Sequence, residues 1–163
     1  RPSKGKRPLR VVLDDLLQIP AKSRLLRTTK TAPVLIFARQ EAADANPKIA
    51  ERIAKKGAEL LTCPEAQSAS NLPVLLDALA KRGIAQVLVE GGPTVLASFL
   101  KQGLADEVCV YISPKVLGAA GAAPIGEPMA ELAQAVELSH VTIKAFGEDI
   151  RLCGRPDPAR CYQ

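Results

Sequence analysis

Short apolar blocks alternate with amphipathic stretches along most of the chain. The blocks that have strand length are LRVVLDD (9–15), PVLIFAR (33–39), AELLTC (58–63), IAQVLVE (84–90) and the longer block at 106–113. The amphipathic stretches between them are PKIAERIAKK after Asn46, LPVLLDALAKR after Asn71 and GPTVLASFLKQG at 92–103. Because strands that alternate with helices are typical of parallel sheets with helices on their faces, the pattern predicts an α/β fold with a mostly parallel sheet.

Polar and glycine residues mark the ends of these elements. Asn46 and Asn71 stand at N-cap positions, and Gly57, Gly83 and Gly103 follow the three helices. We predict loops at 18–32 and 114–128 and a helical turn within AELAQAVEL (130–138). ELSHVTIKAFG and EDIRLCGRP alternate with a period of two around Gly147, which predicts a C-terminal antiparallel hairpin.

Composition favours a single globular domain over residues 1–163. The apolar fraction of 47% and the charged fraction of 24% are both ordinary for such a domain. The chain has no apolar run of the roughly 20 residues that a bilayer requires, and no apolar segment follows the basic start. We therefore expect a cytoplasmic protein with no membrane partner.

The net charge of +5 is unevenly distributed, since the first thirty positions hold nine Lys/Arg against only Asp14 and Asp15. One interpretation is a solvated basic leader. The other is a positive field that attracts phosphorylated small molecules. A nucleic-acid partner is not expected, because single-strand binding surfaces interleave aromatic residues with basic ones and this region has no aromatic residue.

The four cysteines are Cys63, Cys109, Cys153 and Cys161, and no two of them have the CxxC spacing of a zinc or redox motif. Cys63 and Cys109 lie in apolar runs, which favours buried free thiols. Pairing of Cys153 with Cys161 is the less favoured alternative in a reducing compartment. His140, the single histidine, is expected at a surface strand position, so the sequence predicts no metal site.

The segment VLVEGGPTVLASFL (87–100) carries the chemistry that the pattern does not explain. Glu90 and the pair Gly91-Gly92 stand where a predicted strand gives way to a helix, the edge at which parallel sheets bind ligands. Free N–H groups at a helix start attract anions, and glycine lets an anion approach the backbone. The hydroxyls of Thr94 and Ser98 lie one turn apart as further candidate donors. The alternative is a tight strand-to-helix turn, since the spacing matches neither GxGxxG nor a Walker loop.

Glu90 needs a separate explanation, because a carboxylate repels a phosphate bound beside it. A role as hydrogen-bond acceptor for a neutral, donor-rich substrate would account for its position. The alternative is a structural role, in which Glu90 caps the helix or pairs with a lysine.

Several motifs together resemble the reductase domain of the bifunctional riboflavin-biosynthesis deaminase/reductase. They are LVEGGPTVLASFLKQGLADEVCVYISPKVLG, LRVVLDDLLQIP, NLPVLLDALAKRGIAQVLVEGG and GEDIRL, in the family's order, from residue 8 to about 153. The resemblance implies a dihydrofolate-reductase-like fold. It also implies NADPH-dependent reduction of 5-amino-6-(5-phosphoribosylamino)uracil, a phosphorylated pyrimidine, to the ribityl form.

The same resemblance implies roles for individual residues. Glu90 would contact the substrate, Asp15 would lie near the adenosine end of the cofactor, and no side chain need act as a nucleophile. A cis peptide would join Gly91 to Gly92. The cofactor phosphates would be held by Gly92, Pro93, Thr94, Val95, Leu96, Ala97 and Ser98.

The chain departs from the family in two ways. Asp15 stands where the family usually has Ser, and its charge would oppose a 2′-phosphate unless Lys22, Arg24 or Arg27 offsets it. The family's Ser-Leu-Asp-Gly-Lys-like and Asp-x-Pro-x-Leu-x-x-Arg-like segments, and the zinc motif of its deaminase half, do not occur in this sequence. We therefore expect a partial reductase domain with a deaminase domain upstream in the full-length protein.

Without the family's early strands, LRVVLDD would form an open sheet edge, so we expect a homo-oligomer. Three other functions stay open at this point: an inactive nucleotide-binding fragment, another reductase of the same fold, and a basic nucleic-acid-binding module.

Overall fold

The computed structural model describes residues 7–64, 71–116 and 135–157. These residues belong to two compact units, 1–85 and 86–163. The first unit contains β1 (Arg10–Leu13), α1 (Arg24–Arg27), β2 (Val34–Arg39), α2 (Gln40–Ala45), α3 (Pro47–Lys55), β3 (Glu59–Cys63) and α4 (Leu72–Ala80). The second contains α5 (Pro93–Lys101), β4 (Val108–Ile112), β5 (Leu138–Phe146) and β6 (Asp149–Pro156). The α/β class and the C-terminal hairpin are therefore confirmed.

A parallel sheet of order β1-β2-β3 forms the centre of the first unit. Residues 34–38 of β2 are buried on both faces, as the apolar run PVLIFAR predicts for a central strand. Val34, Ile36 and Ala38 pack into one apolar cluster together with Ile53 of α3. Leu35 and Phe37 pack into the other cluster, with Leu75, Leu79 and Cys63. Among the described residues β1 pairs only with β2, so β1 is the sheet edge that the sequence predicts.

Helices α3 and α4 begin and end close to the predicted residues, but their asparagines act differently from the prediction. Gly57 and Gly83 end the helices with φ of 76° and 75°, a conformation that glycine adopts without strain. Neither Asn46 nor Asn71 makes a side-chain cap hydrogen bond. Asn46 instead donates from Nδ2 to the carbonyl of Ala42, 2.9 Å away, because the helix α2, absent from our prediction, precedes it.

The segment 18–32, predicted as a loop, contains the single-turn helix α1 and is hydrogen-bonded to β1. Ser23 caps α1 by accepting a hydrogen bond from the Leu26 amide, and Leu26 is 2% exposed. The Arg10 guanidinium donates to Thr28 Oγ1 at 2.8 Å and to the carbonyls of Thr28 and Ala32. This basic residue is therefore part of the packed structure and not of a solvated leader.

An antiparallel sheet of order β4-β6-β5 forms most of the second unit, and its hairpin turns at Gly147 with φ of 65°. Cys109 of β4 lies opposite Cys153 of β6, and the two form a disulfide. The prediction of a buried free thiol at Cys109 is therefore wrong, as is the alternative of pairing Cys153 with Cys161. Cys63 is a buried thiol outside the disulfide, as predicted, and it donates to the Ala38 carbonyl at 3.6 Å.

The predicted strand IAQVLVE (84–90) is also wrong, since residues 84–92 have no regular secondary structure. A strand is stable only beside a hydrogen-bonded neighbour, and no described strand pairs with this segment. Val87 and Leu88 are exposed, Leu88 at 80%, whereas Ile84 packs against the cluster of Leu35 and Phe37.

Two further predictions fall mostly on residues that lie outside the described ranges. They are the loop at 114–128 beyond its first three residues and the helical turn at 130–138 before its last four. Among the helices that the structure does describe, none is long and apolar enough to cross a membrane.

Candidate functional site

Gly91 and Gly92 occupy the bend before α5, and the space around them differs. A Cβ placed on Gly91 would lie 2.7 Å from the Cβ of Val95, closer than real side chains approach. A Cβ placed on Gly92 would meet no atom within 4 Å. Packing therefore requires glycine at position 91, whereas the backbone of Gly92 is open to an approaching molecule.

The peptide bond between these glycines is trans, because the described residues contain no cis peptide. The cis bond that the resemblance implies is therefore wrong for this chain. Gly92 has φ of −70° and ψ of 175°, a conformation that any residue can adopt. Neither packing nor backbone strain therefore explains the absence of a side chain at Gly92.

The start of α5 leaves several amide hydrogens free. The amides of Val95 and Leu96 both donate to the carbonyl of Gly92, at 3.0 and 3.1 Å. Pro93 has no N–H. Within the described ranges, the amides of Gly91, Gly92 and Thr94 have no backbone acceptor. Free amides at the positive end of a helix dipole favour an anion, so this turn has the chemistry of a phosphate cradle.

Side chains along 92–98 are divided between solvent and core. Gly92, Pro93 and Thr94 are exposed, while Ala97 is buried. Ser98 donates its hydroxyl hydrogen to the Thr94 carbonyl at 2.8 Å. The Ser98 hydroxyl is thus engaged within the helix, and its expected role as a donor to a ligand stays a prediction. The Thr94 side chain is the exposed hydroxyl of the segment.

Glu90 is exposed, immediately before the two glycines. Gly92, not Glu90, is the N-cap of α5, and no side chain caps that helix. None of the ion pairs found among the described residues includes Glu90. The structural alternatives for Glu90, a helix cap or a lysine pair, are therefore not observed, and its carboxylate oxygens are available to accept hydrogen bonds.

Asp14 and Asp15 follow β1 and differ in what they bind. The Asp14 carboxylate accepts the amides of Gln18 and Ile19, each at 2.8 Å, and so closes the loop after the strand. Asp15 is half-buried, and its carbonyl accepts hydrogen bonds from the backbone and the Nε of Arg39. Asp14 is thus committed to the fold.

Arg39, a cation absent from our predictions, lies beside Asp15 and donates to its carbonyl. The predicted cations Lys22, Arg24 and Arg27 are exposed. Arg39 is the last residue of β2, next to β1 in the parallel sheet. Because the carboxyl ends of neighbouring parallel strands meet at one edge, that position was a signal that the sequence offered.

Comparison with known proteins gives a consistent result. Residues 1–152 match the protein family described as the RibD C-terminal domain. The riboflavin biosynthesis protein RibD of Bacillus amyloliquefaciens is 32% identical over 157 residues, which are 95% of this chain and 41% of that protein. The 2,5-diamino-6-ribosylamino-4(3H)-pyrimidinone 5′-phosphate reductase of Methanothermobacter thermautotrophicus is 33% identical over 150 residues, 90% of this chain and 65% of that protein.

Solved structures agree on the fold. Acinetobacter baumannii RibD superposes with a TM-score of 0.70 at 27% identity, over 91% of this chain and 37% of that one. The riboflavin biosynthesis reductase Rib7 of Saccharomyces cerevisiae also gives a TM-score of 0.70, at 18% identity. The chain therefore spans about two fifths of the RibD proteins and about two thirds of the archaeal reductase.

Proposed function

Because this chain belongs to the RibD C-terminal domain family, we propose that it forms a reductase domain of riboflavin biosynthesis. Its reaction is the NADPH-dependent reduction of 5-amino-6-(5-phosphoribosylamino)uracil to the ribityl form. The archaeal relative supports this assignment, since it is named a reductase of a ribosylaminopyrimidinone 5′-phosphate and matches 90% of the chain. The observation that carries the proposal is the open backbone of Gly92 beside free amides.

The turn before α5 fits the diphosphate of a dinucleotide. An anion at this turn would accept hydrogen bonds from the amides of Gly91, Gly92 and Thr94, and the helix dipole would add to the attraction. Pro93 fixes the first turn of the helix. Val95, Leu96 and Ser98 are half-buried and Ala97 is buried, so the segment that follows the turn is partly packed. Bound NADPH supplies the hydride, and the protein supplies binding and orientation.

Glu90 is assigned to the substrate. An exposed carboxylate without an observed partner accepts hydrogen bonds from a donor-rich pyrimidine at little desolvation cost. No residue is assigned a nucleophilic role, because hydride transfer needs position and not a covalent intermediate. Glu90 would therefore act by orienting the substrate.

Asp15 is assigned to the adenosine end of the cofactor, where its charge bears on the choice between NADPH and NADH. A carboxylate near a 2′-phosphate disfavours NADPH, and a neighbouring cation reduces that penalty. Arg39, which donates to the Asp15 carbonyl, supplies such a cation. The preference for NADPH thus depends on the balance between these two side chains.

The proposal also covers the setting of the domain. The family match extends over 1–152, which supports one reductase domain across the chain. RibD relatives are more than twice as long as the matched region, which agrees with a deaminase domain upstream in the full-length protein. The proposed location of the enzyme is the cytoplasm. The proposed assembly is a homo-oligomer, since β1 has an unpaired edge within the described region. Light scattering that shows a monomer at high concentration would contradict the oligomer.

Glu90→Gln tests the assigned reaction in the purified chain. A hydrogen bond to a charged group contributes roughly 1.5–3 kcal/mol, so its loss should lower substrate turnover by about tenfold or more. The NADPH dissociation constant should stay within about twofold. Glu51→Gln, a change at an exposed pair on α3, is the matched control and should alter neither quantity.

The outcomes separate the proposal from its alternatives. Equal loss of turnover and cofactor affinity in Glu90→Gln would make Glu90 structural. The nucleotide-binding fragment would be favoured if the wild type bound NADPH without turnover and if adding the family's N-terminal reductase segment restored turnover. Turnover of a different heterocycle alone would favour another reductase of the same fold. Nucleic-acid affinity that does not change with salt would dismiss the basic-module alternative.

A further inference from the structure

Three metal-binding side chains converge on one face of the antiparallel sheet. Cys109 lies opposite Cys153 in the pairing of β4 with β6, and Glu107 precedes Cys109 by two residues, so all three point to the same side. The Glu107 carboxylate is 3.7 Å from the Cys109 sulfur. One ligand atom from each residue lies within 4.8 Å of the other two. Ligands around one tetrahedral zinc ion lie roughly 3.5–4 Å apart, so small side-chain rotations complete the set.

A β-bulge brings a histidine to the same place. The pairing of β5 with β6 shifts between Ser139 and Thr142, and His140 has φ of 50°, which is uncommon for a residue other than glycine. The pocket on this face of the sheet is lined by Glu107, His140, Thr142, Cys153, Gly154 and Arg155. The bulge therefore places an imidazole in the lining of a pocket that also includes Glu107 and Cys153.

A serine lies beside the imidazole of His140. Ser139 donates its hydroxyl hydrogen to the Arg155 carbonyl at 3.3 Å, and its oxygen lies 3.2 Å from His140 Nδ1. The tautomer with its proton on Nδ1 can donate to that oxygen and leaves the Nε2 lone pair for a metal, as in metal-bound histidines whose second nitrogen donates to a neighbour.

Charge also favours a divalent cation once the sulfurs are ionised. Two thiolates and the Glu107 carboxylate carry three negative charges, and a divalent ion together with Arg155 carries three positive ones. Thiolate and imidazole ligands select Zn²⁺ over Mg²⁺ or Ca²⁺, which bind oxygen. The pocket is thus neutral with zinc and strongly negative as a bare dithiolate.

We propose that reduction of the Cys109–Cys153 disulfide converts this face into a Zn²⁺ site with Glu107 and His140 as the remaining ligands. A cellular dithiol transfers two electrons and two protons to the disulfide, is itself oxidised to a disulfide, and leaves two thiols on the protein. Zn²⁺ then binds both sulfurs as thiolates and releases two protons to solvent. Disulfide and zinc exclude one another, so the site reports the redox state of its compartment.

Cobalt serves as the probe, since Co²⁺ bound by thiolates absorbs through sulfur-to-metal charge transfer. The whole chain is reduced with a water-soluble phosphine, which becomes the phosphine oxide, and titrated with Co²⁺ and then Zn²⁺. We expect one Co²⁺ per reduced chain with the charge-transfer band, displacement by Zn²⁺, and no such band in the oxidised chain. Equal metal binding by both forms, or binding without the band, would overturn the proposal.

Variants identify the ligands. Cys109→Ser should abolish the charge-transfer band of the pair, and Glu107→Gln and His140→Ala should each weaken Zn²⁺ binding roughly 10–100-fold. Those three positions are exposed, so the variants should fold, as circular dichroism will verify. Cys63→Ser removes a thiol remote in sequence and is the matched control, with unchanged binding expected. Unchanged affinity in Cys109→Ser or Glu107→Gln would contradict the site, and unchanged affinity in His140→Ala would contradict the histidine ligand.

Discussion

The backbone of Gly91 lies directly against the side chain of Val95, where an added Cβ would come within 2.7 Å of the Val95 Cβ. A Cβ added in the same way to the next residue, Gly92, would have no atom within 4 Å. The two glycines of the bend therefore have different reasons to be glycine. Gly91 is required by the packing of α5, and Gly92 leaves free space that our proposal fills with a cofactor diphosphate.

Gly91→Ala should destabilise the protein. Its methyl group would overlap Val95, and overpacking of this kind costs about 1–3 kcal/mol. Urea denaturation measures the free energy of unfolding of the variant. The double variant with Val95→Ala should recover part of the loss beyond what the single changes predict, because alanine keeps the Val95 Cβ but removes both methyl groups, one of them 2.8 Å from the added Cβ.

Gly92→Ala is the matched control for that prediction. Its methyl group enters open space in an ordinary backbone conformation, so the free energy of unfolding should change by no more than about 0.5 kcal/mol. Equal destabilisation by the two alanine variants would show that the packing difference between the glycines is not real.

Asp14→Ala should loosen the loop after β1. The variant loses two carboxylate hydrogen bonds to the amides of Gln18 and Ile19, comparable to the loss of a helix cap, which costs about 0.5–2 kcal/mol. Thermal unfolding measures the change. Asp77→Ala removes an exposed pair with Lys81 and should cost little by comparison. If both variants were equally stable, the Asp14 carboxylate would have no structural role.

Asp15→Ser should shift the cofactor preference towards NADPH. Removal of a negative charge near the 2′-phosphate lowers the repulsion that NADPH alone experiences, so the ratio of NADH to NADPH dissociation constants should rise. Calorimetry with each cofactor provides the ratio. Arg39→Gln should move the ratio in the opposite direction. A ratio unchanged in both variants would remove Asp15 and Arg39 from the adenosine end of the site.

Local patterns predicted the elements whose burial is set by their own residues. Residues 34–38 form a five-residue buried run whose position in the centre of a parallel sheet follows from composition, and the alternation around Gly147 specifies the hairpin. IAQVLVE has an equally apolar composition, yet it is not a strand, since strand formation also needs a partner. The sequence alone indicates which segments can form strands, but it does not show whether each one has a neighbouring strand to pair with.

For the candidate site, the sequence indicated residues but not their contacts. Glu90 is exposed and the backbone of Gly92 is open, and the roles that the sequence suggested for them stay predictions. The Ser98 hydroxyl donates to the carbonyl four residues earlier, a common contact of helical serines that composition does not show. Cys109 and Cys153 are 44 residues apart in sequence, and only the register of β4 on β6 brings them together.

The affinity of Gly92→Val for NADPH, measured by calorimetry beside its free energy of unfolding, tests the central claim most directly. The Cβ of a branched side chain at Gly92 would meet no atom of the protein within 4 Å, and the side chain would occupy the space in front of the free amides. We predict that the NADPH dissociation constant rises at least about tenfold, because one hydrogen bond to a charged group is lost. The free energy of unfolding should stay within about 1 kcal/mol of the wild type. NADPH binding equal to that of the wild type in a folded Gly92→Val protein would contradict the diphosphate cradle.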